Sequence, residues 1–246
     1  MSTTVFAASH VFSANRTEEL PMTMQVGMTA SNGIILASDT KFWSEPLGLG
    51  RTITSGLAKI RISGDRKIAV SCAYNLKLAF RVADSIIADL SPRFWHSPEA
   101  RISQIALSEL DRAGVEQHEC MIVISEPTPA LYIFSCEQKS NPSAVEMCGR
   151  VLTYVFCGHL TNAAVFWADR FFRPDIPRLR TMEELIPLAA QIIVDAGRLN
   201  SGAIGGLEII KCDETGIQSL TAEENITLEL AARQRSAQIE KTLFFG

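Results

Sequence analysis

The stretch Met22–Lys41 constrains this chain more than any other, because a period-two strand, a tight turn and an apolar strand follow one another without a break. Met24, Val26 and Met28 alternate with Gln25, Gly27 and Thr29, the pattern of a half-buried strand, and Ser31-Asn32-Gly33 supplies an Asn-Gly reversal. Ile34 to Ala37 then returns as a second strand. In such an antiparallel hairpin the start of the first strand lies beside the end of the second, so Thr23 and Asp39 are expected to share one end of the sheet.

The rest of the chain reads as support for that hairpin. Phe42 to Gly56 is rich in Gly, Pro and Ser and is expected to be a loop bordering a groove. Ala58–Ser63 and Lys67–Cys72, joined at Gly64-Asp65, form a second hairpin with Lys59 at its start. Helical spacing of Leu78, Val82, Ile86 and Leu90 predicts a helix that stops at Ser91-Pro92, and Ser97-Pro98-Glu99 opens another ending near Gly114, both covering one sheet face. Strands are expected at Cys120–Ser125, Leu131–Cys136, Ala144–Met147 and Leu152–Cys157, and a third helix at Ala163–Phe172. Thr181-Met-Glu-Glu184 is a capping box for a fourth helix, followed by a strand at Leu207–Lys211. A long amphipathic helix, Ala222–Lys241, leads to an apolar tip at Leu243-Phe-Phe-Gly246 that suggests a subunit contact.

Composition narrows the function classes. A chain of 246 residues, 47% hydrophobic and 20% charged, suits one globular domain. A net charge of -4 without a basic patch argues against nucleic acid and anionic membrane as partners. No apolar run approaches the roughly 18 residues of a membrane span. The six cysteines sit mostly in apolar runs without a Cys-x-x-Cys pair, which fits free thiols in a reducing cytoplasm. His118-x-Cys120 and Cys157-Gly158-His159 are too isolated for a zinc site, so no metal is expected. Gly-x-Gly-x-x-Gly, P-loop, Gly-x-Ser-x-Gly and His-Glu-x-x-His motifs are absent, and no cofactor is expected.

Thr23-x-x-Val26-Gly27, followed by Asn32-Gly33-Ile34-Ile35-Leu36-Ala37-Ser38-Asp39-Thr40-Lys41, resembles the opening of a proteasome β subunit, an N-terminal-nucleophile threonine hydrolase. Bacterial homologues of the HslV, Anbu and β-proteobacterial types are the most similar in character. The resemblance extends more weakly to about Lys211. It implies an α+β fold, a four-layer αββα sandwich of two mainly antiparallel sheets, with Thr23 as nucleophile and Asp39 and Lys59 completing the site. It also implies homo-oligomeric rings, unfolded polypeptide as substrate, and an ATPase unfoldase on a separate chain.

Several positions depart from the family. The turn whose glycine N–H serves the oxyanion holds Cys72, Ala73 or Tyr74, so the backbone N–H groups of Cys72 and Ala73 are the candidate donors. His159 stands where the family has a serine. Ser201 matches a further family serine, with Asn200 beside it, whereas the aspartate's place holds Arg198, with Asp195 one turn earlier.

A threonine can use its own amine as base only if no peptide bond precedes it. Residues 1–22 lack the basic flank of a secretory signal and are expected to be an extension, removed as a propeptide or never translated, leaving 23–246 as the hydrolase domain. The second route is favoured, because Met22 is itself an initiator residue and the family's propeptides end in glycine. The expected chemistry is attack by the Thr23 hydroxyl on a peptide carbonyl, with the α-amine as base. Two other readings stand beside it: a proteasome-like ring without catalysis that serves as a scaffold, and an amidase acting on small molecules.

Overall fold

A computed structural model describes residues 23–44, 52–54, 56–73, 76–91, 97–115, 117–136, 146–158, 161–171 and 180–245. The expectations placed on residues 1–22, Tyr74, the 140–143 loop and His159 lie outside the described residues.

Strands β1 (Met24–Ala30) and β2 (Gly33–Ser38) pair from Ala30 opposite Gly33 to Gln25 opposite Ser38. The reversal is thus Ser31-Asn32, and Gly33 begins the returning strand at a φ of 155°, where a Cβ would lie 2.3 Å from the Cys212 carbonyl oxygen. Asn32 is more than a turn residue. Its Oδ1 accepts the Met182 N–H at 2.8 Å and its Nδ2 reaches Glu183 at 3.3 Å, which locks the hairpin tip to the start of a helix.

Among the described residues the chain builds two five-stranded sheets, and every pairing within them is antiparallel. In chain order the remaining strands are β3 (Phe42–Ser44), β4 (Thr52–Thr54), β5 (Ile60–Ile62), β6 (Ile68–Cys72), β7 (His118–Ile124), β8 (Ala130–Cys136), β9 (Glu146–Val151), β10 (Tyr154–Gly158), β11 (Glu208–Asp213) and β12 (Gly216–Ser219). The first sheet runs β10-β1-β2-β11-β12 and the second β5-β6-β7-β8-β9, with β3 and β4 as a separate ribbon. Helices α1 (Leu76–Leu90) and α2 (Glu99–Ala113) cover the second sheet through Leu78, Val82, Ile86, Ile102 and Leu110. On the first sheet lie α3 (Asn162–Phe171) and α4 (Met182–Leu199), with α5 (Ala222–Phe245) against α4.

Between the sheets sits a third apolar layer, with Ile34, Leu36 and Ile210 from one side meeting Met121, Val123, Leu131 and Ile133 from the other. The architecture is therefore helices, sheet, sheet, helices, the αββα sandwich of an α+β fold. Each large aliphatic side chain taken from water into these layers contributes about 1.5–3 kcal/mol.

This layering corrects the half-buried reading of β1. Met24, Val26 and Met28 face α4, while the alternate residues face the second sheet rather than water: Gln25 is fully buried and accepts a hydrogen bond from Ser71 Oγ at 3.0 Å. Gly27 has no room for a side chain, since a Cβ there would lie 2.8 Å from Leu131. Other expectations shift as well. The 42–56 loop contains the β3–β4 ribbon, because Phe42, Trp43 and Ile53 favour strands within a Gly/Pro/Ser-rich stretch. The third pair of strands breaks at Leu152-Thr153, where the chain crosses from the second sheet to the first. Strand β12 was not expected; its turn is set by Asp213, whose carboxylate accepts the Thr215 N–H at 2.8 Å. Helix α5 runs to Phe245 and leaves Ile226, Leu230, Leu243 and Phe244 exposed.

Candidate active site

The hairpin delivers Thr23 and Asp39 to one end of the first sheet, as its register requires. Asp39 N–H donates to the Met24 carbonyl at 3.1 Å, and the Met24 N–H returns to Asp39 Oδ1 at 3.0 Å. The Lys41 N–H donates to Asp39 Oδ2 at 3.1 Å, so both carboxylate oxygens are held.

Lys59 comes from the other sheet, just before its edge strand β5, and its side chain crosses the gap between the sheets. The ammonium donates to Asp39 Oδ1 at 2.8 Å and to Thr23 Oγ1 at 3.0 Å. All three side chains are buried, with 5%, 0% and 1% exposure for Thr23, Asp39 and Lys59. Burial pushes the Asp39 carboxyl up and the Lys59 amine down, and the close contact between the two charges works against both shifts. A cation aimed at a hydroxyl oxygen in a water-poor site stabilises the alkoxide form of that hydroxyl.

Two carboxylates that the sequence reading passed over complete the surroundings. Glu208, at the start of β11, accepts the backbone N–H of Lys59 at 2.8 Å and of Ile60 at 3.3 Å. Burial raises the Glu208 carboxyl, with these two donors and the Lys59 charge opposing. Its signal was an acidic residue in the otherwise apolar run Leu207–Ile210. Glu119 on β7 accepts the Gly158 N–H at 2.9 Å. Gly158 has a φ of 84°, and a Cβ on it would lie 2.0 Å from the Thr23 carbonyl oxygen, so only glycine fits beside the threonine.

Other expected site residues fall elsewhere. The Ala73 N–H donates to the Glu119 carbonyl at 3.2 Å and continues the β6–β7 ladder, so it is not available to an oxyanion. Because successive strand N–H groups alternate, that of Cys72 is directed to the β5 side, toward Lys59. Ser201 is exposed beyond the end of α4, and its carbonyl accepts the Lys41 ammonium at 2.5 Å. The hydrogen bonds that join Thr23, Asp39 and Lys59 do not include its hydroxyl. Asp195 ties three helices together, accepting from Trp167 Nε1 at 2.8 Å, Gln191 Nε2 at 3.0 Å and Ser236 Oγ at 2.7 Å. Arg198 pairs with Glu240 at 3.6 Å on the surface.

Among the described residues no group of three or more His, Cys, Asp or Glu could hold a metal ion, and no helix is long and apolar enough to cross a membrane. A cavity of about 1130 Å³ opens at the other end of the hairpin, near Asn32, Glu183 and Lys211.

These layers and their order define a proteasome-like αββα fold. Two solved structures share it: the Anbu complex from Pseudomonas aeruginosa in its helical assembly, at a TM-score of 0.63, and an Anbu mutant from Hyphomicrobium sp. strain MC1, at 0.60. Each is 16% identical over 89% of this chain, covering 95% and 96% of the respective neighbour. No family model matches the sequence, and no curated protein matches it.

Proposed function

We propose that this chain is a threonine-type peptidase that uses Thr23 as an N-terminal nucleophile. The observation that carries the reading is the Lys59 ammonium, held by buried Asp39 at 2.8 Å and aimed at Thr23 Oγ1 at 3.0 Å. Once the bond to Met22 is absent, the α-amine of Thr23, whose reference pKa of about 7.7–8.0 lies near working pH, takes the hydroxyl proton directly or through one water. The oxygen attacks a peptide carbonyl, and the Cys72 N–H is the candidate donor to the oxyanion. Collapse expels the peptide amine with the proton from the Thr23 ammonium and leaves an ester on Oγ1. Water, deprotonated by the same amine, hydrolyses the ester and restores the threonine.

Polypeptide is the proposed substrate, the cytoplasm the proposed location, and a separate ATPase unfoldase the proposed source of extended chains. The helical assembly of the Pseudomonas neighbour supports a homo-oligomer here, a closed ring or an open helix being the two outcomes of head-to-tail contact. Ser201 and Asp195 standing away from Thr23 favour the second reading, a proteasome-like assembly that holds ligands without cleaving them. Hydrolysis of small amides but not of peptides would identify a third.

The test is a peptidase assay on purified protein whose intact mass is known. A species beginning at Thr23 that cleaves peptides, with Thr23→Ala lowering turnover at least about 10³-fold at unchanged oligomeric mass, is the expected result. Turnover unaffected by Thr23→Ala overturns the mechanism.

A further inference from the structure

We infer that Glu208 is a positioning residue for Lys59, fixing where the lysine enters the site and supplying the second negative charge that keeps it a cation. The inference rests on the peptidase reading. Lys59 precedes β5, an edge strand whose outer backbone groups lack a neighbouring strand within its own sheet. One oxygen of Glu208 takes two successive N–H groups at that point, from Lys59 at 2.8 Å and Ile60 at 3.3 Å. Successive N–H groups of a regular strand diverge, so a shared acceptor bends the backbone where the lysine side chain departs. Glu208 belongs to the first sheet, pairing opposite Ser38, the residue before Asp39. Its carboxylate thus joins the lysine's backbone to the sheet that carries the lysine's side-chain partners.

The charge matters separately from the tether. Facing Lys59 are Asp39 from the end of β2, Glu208 from β11 and, once freed, the Thr23 amine; Lys41 directs its ammonium away to the Ser201 carbonyl. Burial lowers Lys59, and Asp39 first and Glu208 second oppose it. Two carboxylates therefore offset part of the desolvation of one ammonium.

Glu208→Gln keeps an acceptor oxygen for both N–H groups and removes the charge, whereas Glu208→Ala removes both. In Glu208→Gln the alkaline limb of the kcat profile is expected to move at least half a pH unit lower, with kcat at its optimum reduced about 3- to 10-fold and KM within twofold. Glu208→Ala is expected to lose about 10- to 100-fold in kcat at every pH. A Glu208→Gln profile that superimposes on the parent overturns the inference. The wild-type and Thr23→Ala proteins run alongside keep the two ideas apart: wild type without Thr23-dependent turnover sinks the peptidase reading alone. An NMR titration of the Lys59 side-chain Nζ resonance across pH then tests Glu208 without activity. A midpoint that falls to lower pH in Glu208→Gln upholds the inference, and identical midpoints refute it.

Discussion

At the scale of single residues, Lys59 and His118 show opposite ways of burying a titratable group. Lys59 is compensated by Asp39, and removing one partner of such a pair leaves an unpaired buried charge, typically costing about 3–5 kcal/mol. Lys59→Met keeps most of the volume and removes the cation; we expect turnover to fall at least about 10³-fold and the melting temperature to drop, measured together on one preparation. Since burial lowers the lysine from its ordinary 10.5, the cation proposed to stabilise the Thr23 alkoxide is lost as pH rises through a value below 10.5, and a kcat profile flat to pH 10.5 contradicts that assignment. His118 lacks compensation. It is fully buried on β7 with neither ring nitrogen hydrogen-bonded, and burial depresses it to about 4. The unfolded chain therefore binds a proton near 6.5 that the folded chain refuses until about 4. Stability associated with this histidine is complete above the unfolded value and is lost as pH falls from there toward the folded one, by up to roughly 3 kcal/mol. His118→Phe should flatten the dependence of melting temperature on pH in that window, and an unchanged slope would show that other groups carry acid unfolding.

At the scale of elements, the β1–β2 hairpin and strand β10 meet at Thr23, and their closeness depends on Gly158. Gly158→Ala forces a Cβ into the Thr23 carbonyl, 2.0 Å away, on a residue whose φ of 84° disfavours any side chain. The strand must shift by tenths of an ångström or more, so we expect kcat to fall at least about 10²-fold with a loss of about 2 kcal/mol or more, read as turnover and denaturant midpoint. What the sequence disclosed about these elements follows from local patterning. The hairpin, the helix periods of α1 and α2 and the Thr181 capping box, whose Glu184 carboxylate accepts the Thr181 N–H at 2.9 Å, are written in neighbouring residues. Thr23, Asp39 and Lys59 were legible because two hairpins and a motif placed them. Glu208 and Glu119 were not, because their partners lie far off in sequence, and nothing in the alternation along β1 told whether Gln25 met water or another sheet. The fate of the Ala73 N–H depended on β7 running alongside, a tertiary fact. Asp195 stands one turn before Arg198, which holds the place of the family's aspartate, yet α4 turns it toward α3 and α5.

At the scale of the whole molecule, the proposed mechanism makes one backbone nitrogen the difference between an enzyme and an inert shell. Thr23 lies at the end of the sandwich with its hydroxyl against the Lys59 ammonium, so the layers bring the lysine, the aspartate and the hydroxyl together. Only the base depends on the chain before it: an amide nitrogen cannot accept the proton, whereas an amine can. The fold rests on the apolar layers, and on the proposed mechanism catalysis rests on the state of that nitrogen, so the two should separate cleanly. We expect a form begun at Met22, with the methionine trimmed, and a full-length form that retains residues 1–22 to show the same oligomeric mass by light scattering, with peptidase activity confined to the first. Thr23→Ala in the first form should match the retained form in both respects. Equal activity in the two forms, with intact mass confirming that residues 1–22 remain attached, would mean that another group takes the proton from Thr23, and Lys59, already at 3.0 Å from its oxygen, would become the base.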